Sequence, residues 1–151
     1  MPWWLLVLVV FAAPLADSVV PVLPGEIVVA GAATSLAGGS LPVVAVIAVA
    51  AAGSLVGECV VLNLSRRFAS TDRGDRWASG PKVTRVRGWL ERWGLGAVVV
   101  ARFVPAGRTA TAAGFGLQPG STSRFVMAAG VGSLLWAGYL VAVGHSLTAL
   151  F

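Results

Sequence analysis

Outside residues 64–92 this 151-residue chain carries six side chains that are charged at neutral pH: Asp17, Glu26, Glu58, Arg102, Arg108 and Arg124. A soluble domain devotes about 25% of its residues to Asp, Glu, Lys and Arg. Here the figure is 11%, against 57% hydrophobic residues. So few polar groups cannot cover a water-facing surface. The numbers exclude a soluble globular enzyme, a disordered chain and a disulfide scaffold. They leave an integral membrane protein of one compact domain.

The remaining charges explain the net +5. Residues 64–92 hold eight bases (Arg66, Arg67, Arg73, Arg76, Lys82, Arg85, Arg87, Arg92) and three acids (Asp72, Asp75, Glu91). The basic excess therefore belongs to one segment between apolar runs. That pattern reads as a cytoplasmic loop rather than a nucleic-acid surface. Cys59 and His145 are single, which argues against a disulfide, a metal centre or a bound cofactor. No Ser-His-Asp or Cys-His set is visible for catalysis, so an enzyme is the least favoured class.

The apolar runs divide the chain. Residues 1–16 form an N-terminal apolar helix, although 14 uninterrupted apolar residues (3–16) fall short of the ~20 that span a bilayer upright. Residues 17–40 are broken by Pro21, Pro24, Gly25, Gly31, Gly38 and Gly39 and contain Glu26. They read as a re-entrant segment, a form tolerated at membrane depth only where protein or a cavity shelters the backbone. Residues 41–64 make a spanning helix with Glu58 as its one charge. Its Gly53-x-x-x-Gly57 spacing admits close helix approach. Residues 65–94 are the basic loop. There Val83, Val86, Trp89, Leu90 and Trp93 recur at three- and four-residue intervals, as in an interfacial amphipathic helix; a solvated loop with aromatic anchors is the alternative. Residues 95–120 are a second broken segment, with Arg102, Pro105 and Arg108. Two arginines facing lipid at the bilayer centre would cost roughly 5–7 kcal/mol, so they must meet protein, water or phosphate. Residues 121–146 are the second spanning helix, with Ser121–Ser123 as its cap and Arg124 and His145 as interfacial residues.

The two halves resemble each other. Pro24-Gly-Glu26 and Pro105-Ala-Gly-Arg108 each place a charge beside a proline break. Each half then enters an Ala/Val-rich span containing Gly-Ser-Leu, at 53–55 and 132–134. Chance in apolar low-complexity sequence competes with an inverted repeat. A true repeat would put the two broken segments at a transport site.

Arg102-Phe-Val-Pro105-Ala-Gly-Arg108 resembles the R-[FY]-x-P-x-x-R signature of the DedA family, also called the VTT or SNARE-associated domain. Asp17-Ser-Val-Val-Pro21-Val-Leu-Pro24-Gly-Glu26 is similar to its first signature, an acid followed by P-x-x-P-G-[ED]. Gly53-x-x-x-Gly57-Glu58 stands where the family has Gly-x-x-x-Gly-Asp, and Trp136-Ala-Gly-Tyr139 resembles its closing helix. The resemblance covers residues 17–145. Glu58 departs from the usual Asp, and Leu62, Leu64 and Ser65-Arg66 stand where Tyr and Gly-Arg often follow. The chain ends at Phe151, where many members have a further span. It reads as a short variant lacking that final helix, or as a copy completed by a partner copy.

The resemblance implies an all-α membrane protein with two re-entrant, Pro-broken helical hairpins and flanking spans. It also implies movement of a phosphate-bearing lipid, undecaprenyl phosphate or a phospholipid, between leaflets of the bacterial plasma membrane, with dependence on proton motive force. The residues suit that chemistry. Arg102 and Arg108 present planar forks for phosphate oxygens, and Pro105 breaks the helix and frees backbone N–H groups. Glu26, Glu58 and Asp17 are the candidates for proton coupling. Low dielectric favours their protonated forms and nearby arginines their ionised forms, so geometry decides. Two other classes remain: a proton-coupled exporter of a small solute or ion, and a non-transporting assembly factor in which these charges pair to hold the hairpins. With residues 65–94 cytoplasmic, the 41–64 span runs inward and 125–144 runs back out.

Overall fold

The computed structural model describes residues 2–35, 42–104 and 106–149. They form eight helices and no strand: α1 (Trp3–Val19), α2 (Gly25–Ser35), α3 (Val43–Ala69), α4 (Asp72–Ala78), α5 (Pro81–Trp93), α6 (Leu95–Ala101), α7 (Gly107–Gly116) and α8 (Thr122–Thr148). The chain is all-α, as the sequence predicts. The expected Gly38-Gly39 turn lies outside the described residues.

Two helices, α3 and α8, are long and apolar enough to cross a membrane. At 27 residues each they extend about 40 Å, against a hydrocarbon core of about 30 Å. α3 runs past the expected end at residue 64. Its last turn carries Arg66 and Arg67, whose cations suit the negative end of the helix dipole. The Arg66 guanidinium also donates to the Gly120 carbonyl at 3.0 Å and to the Thr122 hydroxyl, tying the end of α3 to the start of α8.

α1 likewise outruns its expected end, passing through Asp17 to Val19. Pro14 lies inside it and cannot donate a backbone hydrogen bond. The Ser18 hydroxyl is shared between the Pro14 carbonyl at 2.8 Å and the Ser54 carbonyl at 3.3 Å. One side chain thus braces the proline-bearing turn and fastens α1 to α3.

The basic segment is helical rather than an open loop. Thr71 caps α4 by accepting from the Gly74 amide at 3.1 Å, with Asp72 and Asp75 in the first turn, the favoured signs there. Pro81 opens α5 at the position where its missing N–H costs nothing. On α5, Val83 is buried and Val86 and Leu90 are half-buried, whereas Trp89 and Trp93 of the same apolar pattern are exposed. It stops at Gly94, whose φ of +57° and ψ of −139° are adopted almost only by glycine. α6 begins on the next residue.

The chain divides into two compact units, Met1–Gly57 with Ser133–Phe151, and Glu58–Gly132. In the first, Val10 of α1, Val29 and Ala33 of α2, Val46 and Ala50 of α3, and Trp136 and Ala137 of α8 form the core. Small residues let backbones close up. A Cβ on Gly57 would lie 2.6 Å from Ser18 Cβ and 2.7 Å from the Leu15 carbonyl oxygen. One on Gly144 would meet Ala30 and Ala33 of α2. In the second unit Val98, Ala101, Ala112, Phe125 and Ala129 are buried, and the Phe115 and Phe125 rings pack with centroids 5.2 Å apart. A Cβ on Gly114 would run into Val86, so α7 lies hard against α5.

Gly57→Val should lower the stability of the detergent-solubilised protein by about 1–3 kcal/mol through overpacking, read as a drop in thermal midpoint. Gly138→Ala is the matched control, because nothing lies within 4 Å of its added Cβ; it should change stability by less than about 0.5 kcal/mol. Equal midpoints for Gly57→Val and the wild type would remove close α1–α3 contact as a requirement of the fold.

Candidate functional site

Glu58 lies within α3, and Arg102 lies at the C-terminal end of α6 with helical backbone angles. Their side chains meet: an Arg102 Nη2 proton is donated to Glu58 Oε1 in a salt bridge whose partners are 0% and 1% exposed. Burying two charges costs several kcal/mol per ion, and only close pairing recovers it. The stem of Arg102 is held in turn by α8. A Cβ on Gly132 would sit 2.7 Å from Arg102 Cδ and Nε, so only a glycine leaves room for the guanidinium's approach to Glu58. Glu58, a proton-coupling candidate from sequence, and Arg102, a phosphate-binding candidate, form one buried pair here, the kind of pairing that the assembly-factor alternative expects.

After Arg102 the helix breaks. Amides of Phe103 and Val104 close turns onto Val100 and Ala101 at 3.1 and 3.2 Å. Pro105, the expected helix breaker, lies outside the described residues. Ala106 takes φ +60° and ψ 0° as the residue preceding α7. For a non-glycine residue this left-handed conformation costs on the order of 1 kcal/mol or more. Gly107 then opens α7 so close to the Ala101 carbonyl that a Cβ would collide with it.

Arg108 follows in the first turn of α7 and is 7% exposed. A cation there opposes the helix dipole, whose positive end and backbone amides favour an anion. Thr111 fastens this turn by donating to the Gly107 and Arg108 carbonyls at 3.0 Å each.

The first unit contains the other two candidates. Asp17 is 5% exposed, and its Oδ2 lies 3.2 Å from the Cβ position of Gly25, the first residue of α2. Its carboxylate thus borders the amide-rich end of that helix, a favourable place for negative charge. Glu26 occupies the same first turn but is exposed. Arg124 and His145 are exposed near the two ends of α8.

Sequence reasoning missed three participants: Ala106, Gly132 and Ser18. The Pro-x-Gly flanks announce a break at 105–107 but not its handedness. The repeated Gly-Ser-Leu flags Gly132 without naming Arg102 as its neighbour. A serine four residues after a helix-internal proline is the one local signal for Ser18.

The VTT domain family matches residues 23–146. Among curated proteins, undecaprenyl phosphate transporter A of Staphylococcus aureus (strain NCTC 8325 / PS 47) is similar, at 23% identity over 150 residues covering 94% of this chain and 74% of that protein. No solved structure matches the chain.

The ion pair gives a double-mutant test. Glu58→Met or Arg102→Met alone strands a buried charge and should cost about 3–5 kcal/mol of stability. The combined Glu58→Met/Arg102→Met protein should recover most of that loss in thermal melts, whereas additive losses would contradict the pairing. Ala106→Gly should raise stability by about 1 kcal/mol by releasing the left-handed strain.

Proposed function

This chain belongs to the VTT domain family, and from that premise we propose that it is a membrane transporter that carries a phosphate-bearing lipid, a polyprenyl phosphate or a phospholipid, between leaflets. The similarity to a protein named as an undecaprenyl phosphate transporter supports transport rather than catalysis, and the two apolar helices of spanning length fit a membrane location. The observation that carries the reading is Arg108: a buried guanidinium in the first turn of a helix. That arrangement is unfavourable for the helix and favourable for an anion. A lipid phosphate crossing hydrocarbon needs such a partner, because an isolated ion there costs many kcal/mol.

The Glu58–Arg102 bridge supplies a route to proton coupling. In this reading a phosphate competes with Glu58 for Arg102, and Glu58 is the acid through which proton movement is coupled to that exchange. Release of the phosphate returns Arg102 to Glu58. Asp17, buried beside the start of α2, is the second acid in this reading, and exposed Glu26 the third. The broken pairs α1–α2 and α6–α7 are the re-entrant hairpins. Helices α4 and α5 lie on the cytoplasmic face of a bacterial plasma membrane, where their bases meet anionic headgroups. The same salt bridge also favours a second reading, in which the charges only hold a non-transporting assembly factor together.

The test is transbilayer movement of a fluorescent undecaprenyl phosphate analogue in proteoliposomes, with a matched phospholipid arm. Loss of a charge-assisted contact worth about 1.5–3 kcal/mol predicts that Arg108→Gln slows movement roughly tenfold or more, with Arg108→Lys intermediate. Wild-type movement by a correctly inserted Arg108→Gln protein would sink the phosphate role. Absence of movement by the wild type, with Arg108→Gln losing only stability, would select the assembly factor. In the same vesicles an imposed pH gradient should accelerate the wild type and leave a folded Glu58→Gln protein unresponsive.

A further inference from the structure

A groove runs beside α5 in the second unit. One part, of about 170 Å³, is lined by Arg85, Val86 and Trp89 of α5, Ala97 and Ala101 of α6, and Ala110 of α7. The other, of about 180 Å³, is lined by Trp89, Trp93, Gly96, Ala97 and Val100. Trp89 and Ala97 belong to both parts. Arg85 is the one charged residue in the lining. An apolar cavity of roughly 150 Å³ stays dry and takes up an apolar guest, and each part exceeds that size. The rim is apolar too: Trp89, Trp93 and Val100 are exposed at 54%, 66% and 59%. Arg85 stands exposed beside them.

We infer that this groove seats one anionic phospholipid of the surrounding bilayer, with an acyl chain between α5 and α6 and the headgroup phosphate on Arg85. The inference rests on the interfacial placement of α5 proposed above and is independent of what the protein carries. The order of residues on α5 supports it. At about 100° per residue, Trp89, Trp93 and Lys82 fall in one stripe about 40° wide, with Arg85 and Arg92 directly beside it. Glu91, the acid of α5, falls on the opposite side of the helix. An interfacial helix presents its aromatics to the hydrocarbon boundary and its bases to anionic headgroups in this way. Water fills an apolar groove poorly, because the walls lose the contacts that packed atoms would make. Any acyl chain restores those contacts. The preference for an anionic lipid comes from the bases, since each Lys or Arg near a membrane surface favours one about fivefold. A second copy of this chain is disfavoured as the occupant. A symmetric contact through this face would set Lys82, Arg85 and Arg92 against the same cations.

Lipid retention by the detergent-solubilised full chain tests this. Protein exchanged into equal amounts of phosphatidylglycerol and phosphatidylcholine with the same acyl chains is read by native mass spectrometry. The wild type should hold one phosphatidylglycerol per chain, with a preference of about fivefold or more. Arg85→Gln should lower that preference about fivefold. Arg73→Gln removes the same charge from an exposed position on α4 and should change it less than about twofold. Gly96 lines the groove, and a Cβ built on it meets nothing within 4 Å. Gly96→Leu should therefore occupy the groove and spare its walls. Retention of both lipids should then fall about tenfold or more, since each methylene kept out costs about fourfold. A diazirine in the acyl chain of phosphatidylglycerol should crosslink to Trp89, Ala97 and Val100 of the wild type. Equal retention of the two lipids by the wild type would overturn the site. So would unchanged retention by a Gly96→Leu protein with the wild-type thermal midpoint, or chain-to-chain crosslinks through Trp89 in a dimer without bound lipid. Tryptophan quenching by brominated lipid separates the site from the placement of α5. Quenching that falls in Trp89→Phe/Trp93→Phe supports the interfacial helix even where retention fails, and unchanged quenching overturns placement and site together.

Discussion

The salt bridge between Glu58 and Arg102 is the constraint on which the second unit is arranged. Both side chains are removed from solvent, and in low dielectric neither can be left alone. Satisfying them fixes the end of α6 against the middle of α3. It forces α8 to present a glycine over the arginine stem. With α6 ended at that point, the chain must turn within a few residues, and it does so through the left-handed Ala106 into α7. The position of Arg108, six residues after Arg102, thus follows from where that pair ends α6.

The helix pairs α1–α2 and α6–α7 use one construction with opposite electrostatics. Each short helix opens on a glycine, Gly25 or Gly107, whose missing Cβ admits the preceding helix, and each carries a charge in its next residue. In α2 that charge is Glu26, and the buried carboxylate of Asp17 lies alongside; both have the sign a helix start stabilises. In α7 it is Arg108, the wrong sign for the helix. The same glycine-first packing thus carries a charge of favourable sign at the start of α2 and of unfavourable sign at the start of α7.

Much of the architecture was legible in the order of apolar runs and breakers. Charge position separated the basic segment from the two long apolar helices, and the Pro/Gly clusters fall where α1 gives way to α2 and α6 to α7. What was illegible has physical causes. The extension of α1 through Asp17 looked like a boundary, because an acid and a nearby proline ordinarily end an apolar helix. Tertiary packing and the Ser18 hydroxyl carry it on. The basic segment divided its evidence between loop and helix, and the Thr71 cap and the Pro81 start decide for helix. The partnership of Glu58 with Arg102 spans 44 residues, and no periodicity in one sequence encodes a contact of that range. Nor does Ala106 announce its left-handed backbone, since alanine has no preference for it.

Gly94 has an effect on how such a chain can diverge. The surface helix α5 and the short helix α6 are joined through this single residue, so no slack separates them. One residue inserted there would turn α6 by about 100° relative to α5, carrying Ala97 and Ala101 out of their buried positions and swinging Arg102 away from Glu58. Length is therefore frozen at this joint more strictly than residue identity is frozen elsewhere on α5. Relatives that keep the buried ion pair should show α5 drifting freely in its outward residues, while gaps in their alignments gather before Thr71 and after Gly116 and spare residues 93–95.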